Sequence, residues 1–553
     1  MKKIRINALL FLILISAFVL SISNLNKTSL MPTEKEVIEQ SLSPETTRSR
    51  YPLTSAWIAN GFPVTKDTNK QDFRSICSDN AGGVIIAYQD NRTGDINNQT
   101  VLVQRISSSG KKLWNTDGVA LCTNTCCSCP YPKICSDGSG GAIVVWFDYR
   151  HGNGDIYAQK IDSSGTPQWT ENGNPVCLND SMNSIPQIIS DGSGGAIIVW
   201  SDWRKGNEDI YAQRIDSNGE RQWYEYFGDK DGAPVCKDPN DQYWPEISID
   251  ENGGSIIVWQ DERTGSDNIS LYAQRIGHNG IIQWSTEQVI CADTYYAFPR
   301  YLICPDDDEG SIIVWSDNRS GNLDIYAQRI NITGDIQWTE NGIGVCIKGN
   351  DQSLESIDID GYGGAIIAMK DVPSDDNGDI YSQRLNSTGD SQWTPNGQAI
   401  STDIGEQYQA EIANDGNGGA YISWEDEAGG NDDIWGQYVN SSGIPQWTIN
   451  GIPICEADNR QDDIEMISDG AGNVITLWED DRISSGAADI YASKLGPNGI
   501  VITPTPLLSD GDGNGKKKKK EEIIPGYDLY FILILAGFTS IMVYLKMKKK
   551  ISK

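Results

Sequence analysis

The chain has 553 residues, with 44 Lys and Arg against 76 Asp and Glu, for a net charge of −32. A protein this acidic does not suit a nucleic-acid backbone, which asks for the opposite sign. It suits solubility, cation binding or a salty exterior. Two histidines, His151 and His278, remove nearly every Ser-His-Asp, Cys-His or His-ligated zinc scheme. In chain order, 1–23 has a basic start (Lys2, Lys3, Arg5) and an apolar run from Ala8 to Leu20, the pattern of a secretory signal peptide. A linker spans 24–53.

From 54 to 496 one unit of about 56 residues recurs eight times. A Gly-Gly/apolar run, best seen as Gly194-Gly195-Ala-Ile-Ile-Val-Trp200, ends in an aromatic residue or Met at 88, 146, 200, 259, 315, 369, 424 and 478. The second position, a Trp that follows Gln in six of its eight copies, falls at Trp114, Trp169, Trp223, Trp284, Trp338, Trp393 and Trp447, with a spare copy at Trp57. Only Trp203, Trp244 and Trp435 lie off these two registers, so most tryptophans are expected in the core. Each unit carries four strand signals: a run such as Pro245–Asp250, the Gly-Gly run, Asp-Ile-Tyr-Ala-Gln-Arg-Ile, and a stretch from Gln-Trp to Pro-Val-Cys. Asp-Gly-Ser-Gly-Gly (191–195) and Asp-Ser-Asn-Gly (216–219) supply hairpin turns. No helical periodicity appears within the repeats.

A four-stranded antiparallel sheet repeated at this period, unable to bury both faces alone, resembles a propeller blade. The chain from 54 to 496 thus resembles an eight-bladed β-propeller, an all-β fold, and the Trp57 copy is expected to complete the last blade and close the ring. Ser248–Trp259 is similar to the Asp-box of sialidase-type propellers, with altered spacing; that motif is a fold staple and implies no activity.

Strand alternation puts the second-to-third and fourth-to-first loops on one face. The former carry paired acids, Asp148/Asp155, Asp202/Asp209 and Asp317/Asp324, with an Arg two residues after the first Asp. Two readings stand: turn scaffold, the acids capping amides and neutralised by Arg, or a Ca²⁺ site, since that ion takes several oxygens. No other cofactor is called for. The fourth-to-first loops vary most and hold Tyr131, Tyr243, Trp244, Tyr295 and Tyr296, which either pack the loops down or form a platform for a sugar. Two-carboxylate hydrolysis needs no histidine and stays open.

In an exported chain, 12 cysteines favour disulfides. Cys122/Cys135 and Cys291/Cys304 share a spacing of 13 and are candidate pairs across antiparallel neighbours; the Cys126, Cys127, Cys129 cluster is a disulfide, thiol or metal candidate. Sequons stand at Asn91, Asn98, Asn179, Asn268, Asn318, Asn331, Asn386 and Asn440.

A Pro/Gly/Asp/Lys-rich stalk (497–528) leads to an apolar span (529–546), expected to be a transmembrane helix. The Lys-rich tail at 547–553 places the C-terminus in the cytoplasm and the repeats outside. Pro525-Gly526-Tyr527, the span and the Lys tail resemble the sorting signals of archaeal surface proteins. Taken together, the sequence leads us to expect a single-pass cell-surface propeller acting as a binding or adhesion module for an extracellular glycan or protein. The alternatives are a propeller glycoside hydrolase or lyase, and a structural envelope component.

Overall fold

The computed structural model describes residues 57–501, apart from 67–69, 92–98, 124–130, 153, 180–182, 184–185, 224–229, 251, 266–267, 296–299, 374–376 and 484–487. The expected signal peptide, linker, membrane span and basic tail, and the stalk beyond 501, lie outside the described residues, as do Cys126, Cys127, Cys129, Tyr296 and Asn98. No helix among the described residues is long and apolar enough to cross a membrane.

The described strands form eight four-stranded sheets. Blade 3 shows the plan: Gln187–Ser190 pairs with Ala196–Asp202, that with Asp209–Ile215, and that with Ala233–Cys236, all antiparallel. The second strand is buried along its whole length, as its unbroken apolar run requires. Each first strand touches the first strands of both neighbouring blades, and that of blade 8 (Gln461–Ser468) touches that of blade 1 (Gln71–Ser78). First strands therefore lie innermost, and the row of blades closes into a ring.

The apolar cores sit between blades. Trp200 of blade 3 packs with Val145, Phe147 and Cys177 of blade 2, and Trp57, Ile475 and Leu477 of blade 8 pack with Val84 and Tyr88 of blade 1. One blade alone would leave these faces wet, which is the physical reason for the repeat. As expected, the spare N-terminal copy closes the ring: Phe62–Pro63 pairs with Asp489–Leu495 as the fourth strand of blade 8.

The eight tryptophans of the second repeat position form a second closed chain. Each Nε1 donates to a carbonyl in the third-to-fourth turn of the following blade, from Trp114 to Ser163 O (3.2 Å) round to Trp447 with Pro497 O (2.9 Å) and Trp57 with Ser108 O (3.0 Å). The Gln-Trp segment itself is a turn. In blade 2 the fourth strand is only Asn174–Cys177, because Asn172 and Gly173 adopt positive φ (64° and 87°) and break the extended run after Trp169.

The expected disulfides are corrected. Cys122 ends the outer strand of blade 1, whereas Cys135 lies in the inner strand of blade 2; Cys291 and Cys304 are likewise on the outer strand of blade 4 and the inner strand of blade 5. All nine described cysteines are buried, and Cys135, Cys291 and Cys304 carry free thiols. The spacing of 13 marks a crossing between blades, and such strands are not hydrogen-bonded neighbours.

Candidate functional site

The paired acids of the second-to-third loops come together in register, Asp148 opposite Asp155, Asp202 opposite Asp209 and Asp317 opposite Asp324. Their oxygens are occupied. Asp202 Oδ2 accepts from Trp200 Nε1 (3.2 Å), Arg204 Nε (2.9 Å) and Asn179 Nδ2 (2.6 Å), and Oδ1 from Arg204 N (2.8 Å). Arg204 continues to Asp231 O (2.7 Å), to the Cys177 sulfur (3.4 Å) and over the Tyr211 ring (3.9 Å).

The same corner recurs at Asp148–Arg150–Tyr157 and Asp317–Arg319–Tyr326. Burial opposes charge on Asp148 and Asp317, yet hydrogen bonds from the arginines prevail and hold both below the usual carboxylate range. Burial raises Asp155 and Asp209, which keep His151 Nδ1 at 2.8 Å and Asn207 Nδ2 at 2.8 Å as partners; Asp324 takes Asn322 Nδ2 (3.1 Å) and Ser320 Oγ. Among the described residues no group of three or more His, Cys, Asp and Glu side chains is disposed to hold a metal. These arginine-filled corners support the turn-scaffold reading.

Of the expected aromatics, Tyr131 is 38% and Trp244 46% exposed. Tyr243 is half-buried, its hydroxyl donating to Glu262 Oε1 (3.0 Å) while its ring meets Trp244 edge-on at 5.0 Å. The side chain of Tyr295 lies outside the described residues. Tyr243 and Trp244 lie in the inner strand of blade 4 (Gln242–Ile249), not in a loop. Trp244 occupies a bulge at φ 53°, and its carbonyl accepts from the Tyr301 hydroxyl of blade 5. The same bulge recurs in blades 7 and 8, where Gln409 (φ 48°) and Asp463 (φ 54°) hold the equivalent place, so the left-handed residue belongs to the repeat and the exposed ring is what sets blade 4 apart.

Two residues beyond Trp244 the inner strands carry a ring of equivalent side chains. Opposite the middle of each second strand stand Ser75, Lys133, Gln187, Glu246, Leu302, Ser356, Glu411 and Glu465. Neighbours link across blades: Gln187 Nε2 donates to Glu246 Oε1 and Ser356 Oγ to Glu411 Oε2, both at 2.8 Å. Arg300, half exposed, lies 3.5 Å from the buried Glu355.

Burial pushes Glu246 up to about 7, against the pull of Lys133, Gln187 and Arg300. Burial and the Glu465 charge push Glu411 up to about 8. In blade 7 the fully buried Glu425 also reaches about 8 through burial, which the Asp463 N–H (2.6 Å) only partly offsets. Shifted carboxyls gathered in one place mark a candidate site. Here an exposed aromatic and two protonatable carboxyls, Trp244, Glu246 and Glu411, stand on the inner strands of blades 4 and 7, Arg300 directly precedes that of blade 5, and Glu425 lies on the second strand of blade 7.

Sequence reasoning searched the loops and missed this ring. Its signal was present: in the aligned inner strands Lys133-Ile-Cys, Gln187-Ile-Ile, Glu246-Ile-Ser, Glu411-Ile-Ala and Glu465-Met-Ile, a polar position that varies in charge stands beside one that stays apolar.

No family model matches the sequence, and no curated protein matches it. Solved structures similar in fold include a puromycin-hydrolyzing peptidase of Mycobacterium tuberculosis, at 10% identity and TM-score 0.42, covering 77% of this chain and 61% of that one. The β-propeller domain of the Trilobed protease from Pyrococcus furiosus matches at 7% identity and TM-score 0.39, covering 71% of this chain and 99% of that one. An alpha-L-arabinanase of Penicillium chrysogenum matches at 10% identity and TM-score 0.34, covering 60% and 99%. The chain thus spans less than two thirds of the peptidase's length, and at these identities the likeness concerns the fold alone. The chain is an all-β, eight-bladed propeller with four-stranded antiparallel blades.

Proposed function

We propose that the protein is a glycan-binding module of the cell surface, exported through 1–23 and tethered by 529–546, with its ligand seated over the inner strands of blades 4–7. The observation that carries this reading is Trp244. It is a tryptophan 46% exposed, held at positive φ on the strand that also presents Glu246 and hydrogen-bonded through its carbonyl to the residue after Arg300. An apolar ring face beside a few placed polar groups is what small-ligand sites use. The ring stacks on sugar C–H groups while Glu246, Arg300 and Glu411 take hydroxyls.

The test is calorimetric titration of the purified ectodomain with soluble polysaccharides that it retains on a glycan array. Trp244→Ala is expected to weaken binding at least about tenfold, a loss of about 1.4 kcal/mol; unchanged affinity would move the site elsewhere.

Hydrolysis is the second reading, favoured by one observation. Glu411, pushed up to about 8 beside Glu465, divides labour as a protonated acid next to a second carboxyl, the arrangement glycoside hydrolysis uses. In the same panel, release of reducing ends that Glu411→Gln abolishes while binding persists would establish it; no release from any polysaccharide leaves the binding reading alone.

A further inference from the structure

The structure sorts the sequons. Asn179 Nδ2 donates to Asp202 Oδ2 (2.6 Å), Asn183 Oδ1 (3.1 Å) and the Cys177 sulfur (3.0 Å), inside the Asp202–Arg204 corner. A sugar on that nitrogen would force the corner apart. Asn91 and Asn318 bury their carboxamide oxygens at the same corner in blades 1 and 5. The side chains of Asn98 and Asn268 lie outside the described residues.

Asn331, Asn386 and Asn440 are different. They occupy one repeat position, the third-to-fourth turn, in the adjacent blades 5, 6 and 7. In each the carboxamide oxygen is used locally. Asn331 Oδ1 accepts from Thr333 N (3.1 Å) and Asp335 N (2.8 Å), Asn386 Oδ1 from Thr388 N (3.0 Å) and Asp390 N (2.8 Å), and Asn440 Oδ1 from Ser442 N (3.0 Å) and Ile444 N (3.1 Å). The nitrogens Nδ2 of Asn331 and Asn386 make long contacts of 3.3 and 3.4 Å, to Asp335 and Asp390. The sequon hydroxyls of Thr333 and Thr388 lie 2.8 Å from the carboxamide oxygens of Asn331 and Asn386. The middle residue of each sequon is pinned by the preceding blade's tryptophan, from Trp284, Trp338 and Trp393 to Ile332 O, Ser387 O and Ser441 O.

We infer that Asn331, Asn386 and Asn440 are glycosylated, and that their glycans cover the face opposite the second-to-third loops. The inference rests on export of the chain, not on what the inner ring binds. The donor is a polyprenyl-diphosphate-linked sugar: its anomeric carbon bonds to Nδ2, the diphosphate leaves, and Nδ2 gives up one proton. The remaining N–H still donates to Asp335 or Asp390, so the turn survives attachment.

Blade 6 adds a seat for the first sugars. A cleft of about 520 Å³ opens beside Asn386, bounded by Asp307, Asp308, Arg329, Tyr362 and Ser387. Tyr362, 61% exposed, is the one tyrosine among the eight equivalent hairpin tips.

The test is glycopeptide mapping by mass spectrometry of the full chain purified from its native cells. Expected are glycan on Asn331, Asn386 and Asn440, bare Asn179 and Asn318, and a mass step lost with each of Asn331→Gln, Asn386→Gln and Asn440→Gln. Bare asparagines at these three turns, or glycan on Asn179 of folded protein, would overturn the inference. Affinity for a ligand of the inner ring should not change in the triple variant, so this result and that of Trp244→Ala can fail independently.

Discussion

At the scale of single residues, the protein holds two populations of buried acid with opposite pH dependence. Asp148 and Asp317 sit in arginine-filled corners, and their pKa values lie below the ordinary 3.8. Their contribution to stability is present above that value and is lost as pH falls through the folded value. Glu411 and Glu425 run the other way. Folding raises each from 4.5 to about 8, so between these values the native state binds more protons than the unfolded chain. Their contribution is complete below about pH 4.5 and is lost as pH rises toward 8. Glutamine mimics the protonated acid. Glu411→Gln and Glu425→Gln should therefore raise the urea midpoint at pH 8.5 and leave it nearly unchanged at pH 5, where both acids are already neutral. Equal midpoints of variant and wild type at pH 8.5 would show that these carboxyls are solvated in the folded protein.

At the scale of elements, the first hairpin of each blade is a standard part. Asp191 Oδ1 accepts from Ser193 N and Gly195 N, both at 2.8 Å, and Oδ2 pairs with Arg214 at 2.7 Å. The same role falls to Asp79 with Arg105, Asp250 with Arg275 and Asp360 with Arg384. A methyl group on Gly195 would press on Ile215 O and the Asp191 carboxylate. Gly195→Ala should cost about 1–3 kcal/mol in chemical unfolding, and a stability within error of wild type would mean that the hairpin relaxes freely.

This part of the fold was legible in the sequence, because Gly-Gly and Asp recur wherever backbone geometry demands them. The cysteines were misread for an instructive reason. Cys122, Cys177, Cys236, Cys291, Cys346 and Cys455 pair in register with Val101, Ile156, Ile210, Leu271, Ile325 and Ile434, one per blade. Blade 6 has Ser401 in that place. Their common period marked them as one repeat position, whereas the spacing of 13 joined two unrelated ones. The inner-ring glutamates were hidden differently: a polar residue inside a short strand looks like ordinary alternation until the ring closes around it.

At the scale of the molecule, closure joins residues more than 400 apart in the chain. Phe62–Pro63 pairs with Tyr491 and Ala492 of blade 8, Arg482 Nη2 donates to Asn60 O (2.7 Å), and Lys494 Nζ of blade 8 donates to Gly82 O of blade 1 (3.1 Å). Trp57 and Val64 are fully buried and Phe62 nearly so. Burial of three such side chains stabilises by about 1.5–3 kcal/mol each, so the N-terminal strand contributes far more than its length implies. Its removal also bares the edge of Asp489–Leu495, and an unpaired edge invites pairing with another chain. A variant lacking residues 1–66 should therefore melt at least about 10 °C lower and associate in sedimentation. A synthetic peptide spanning 55–66 should restore both the melting temperature and the monomer, because it supplies the missing strand without the covalent link. A monomeric truncation with unchanged melting would show that the seven complete blades and the three-stranded eighth hold the ring unaided.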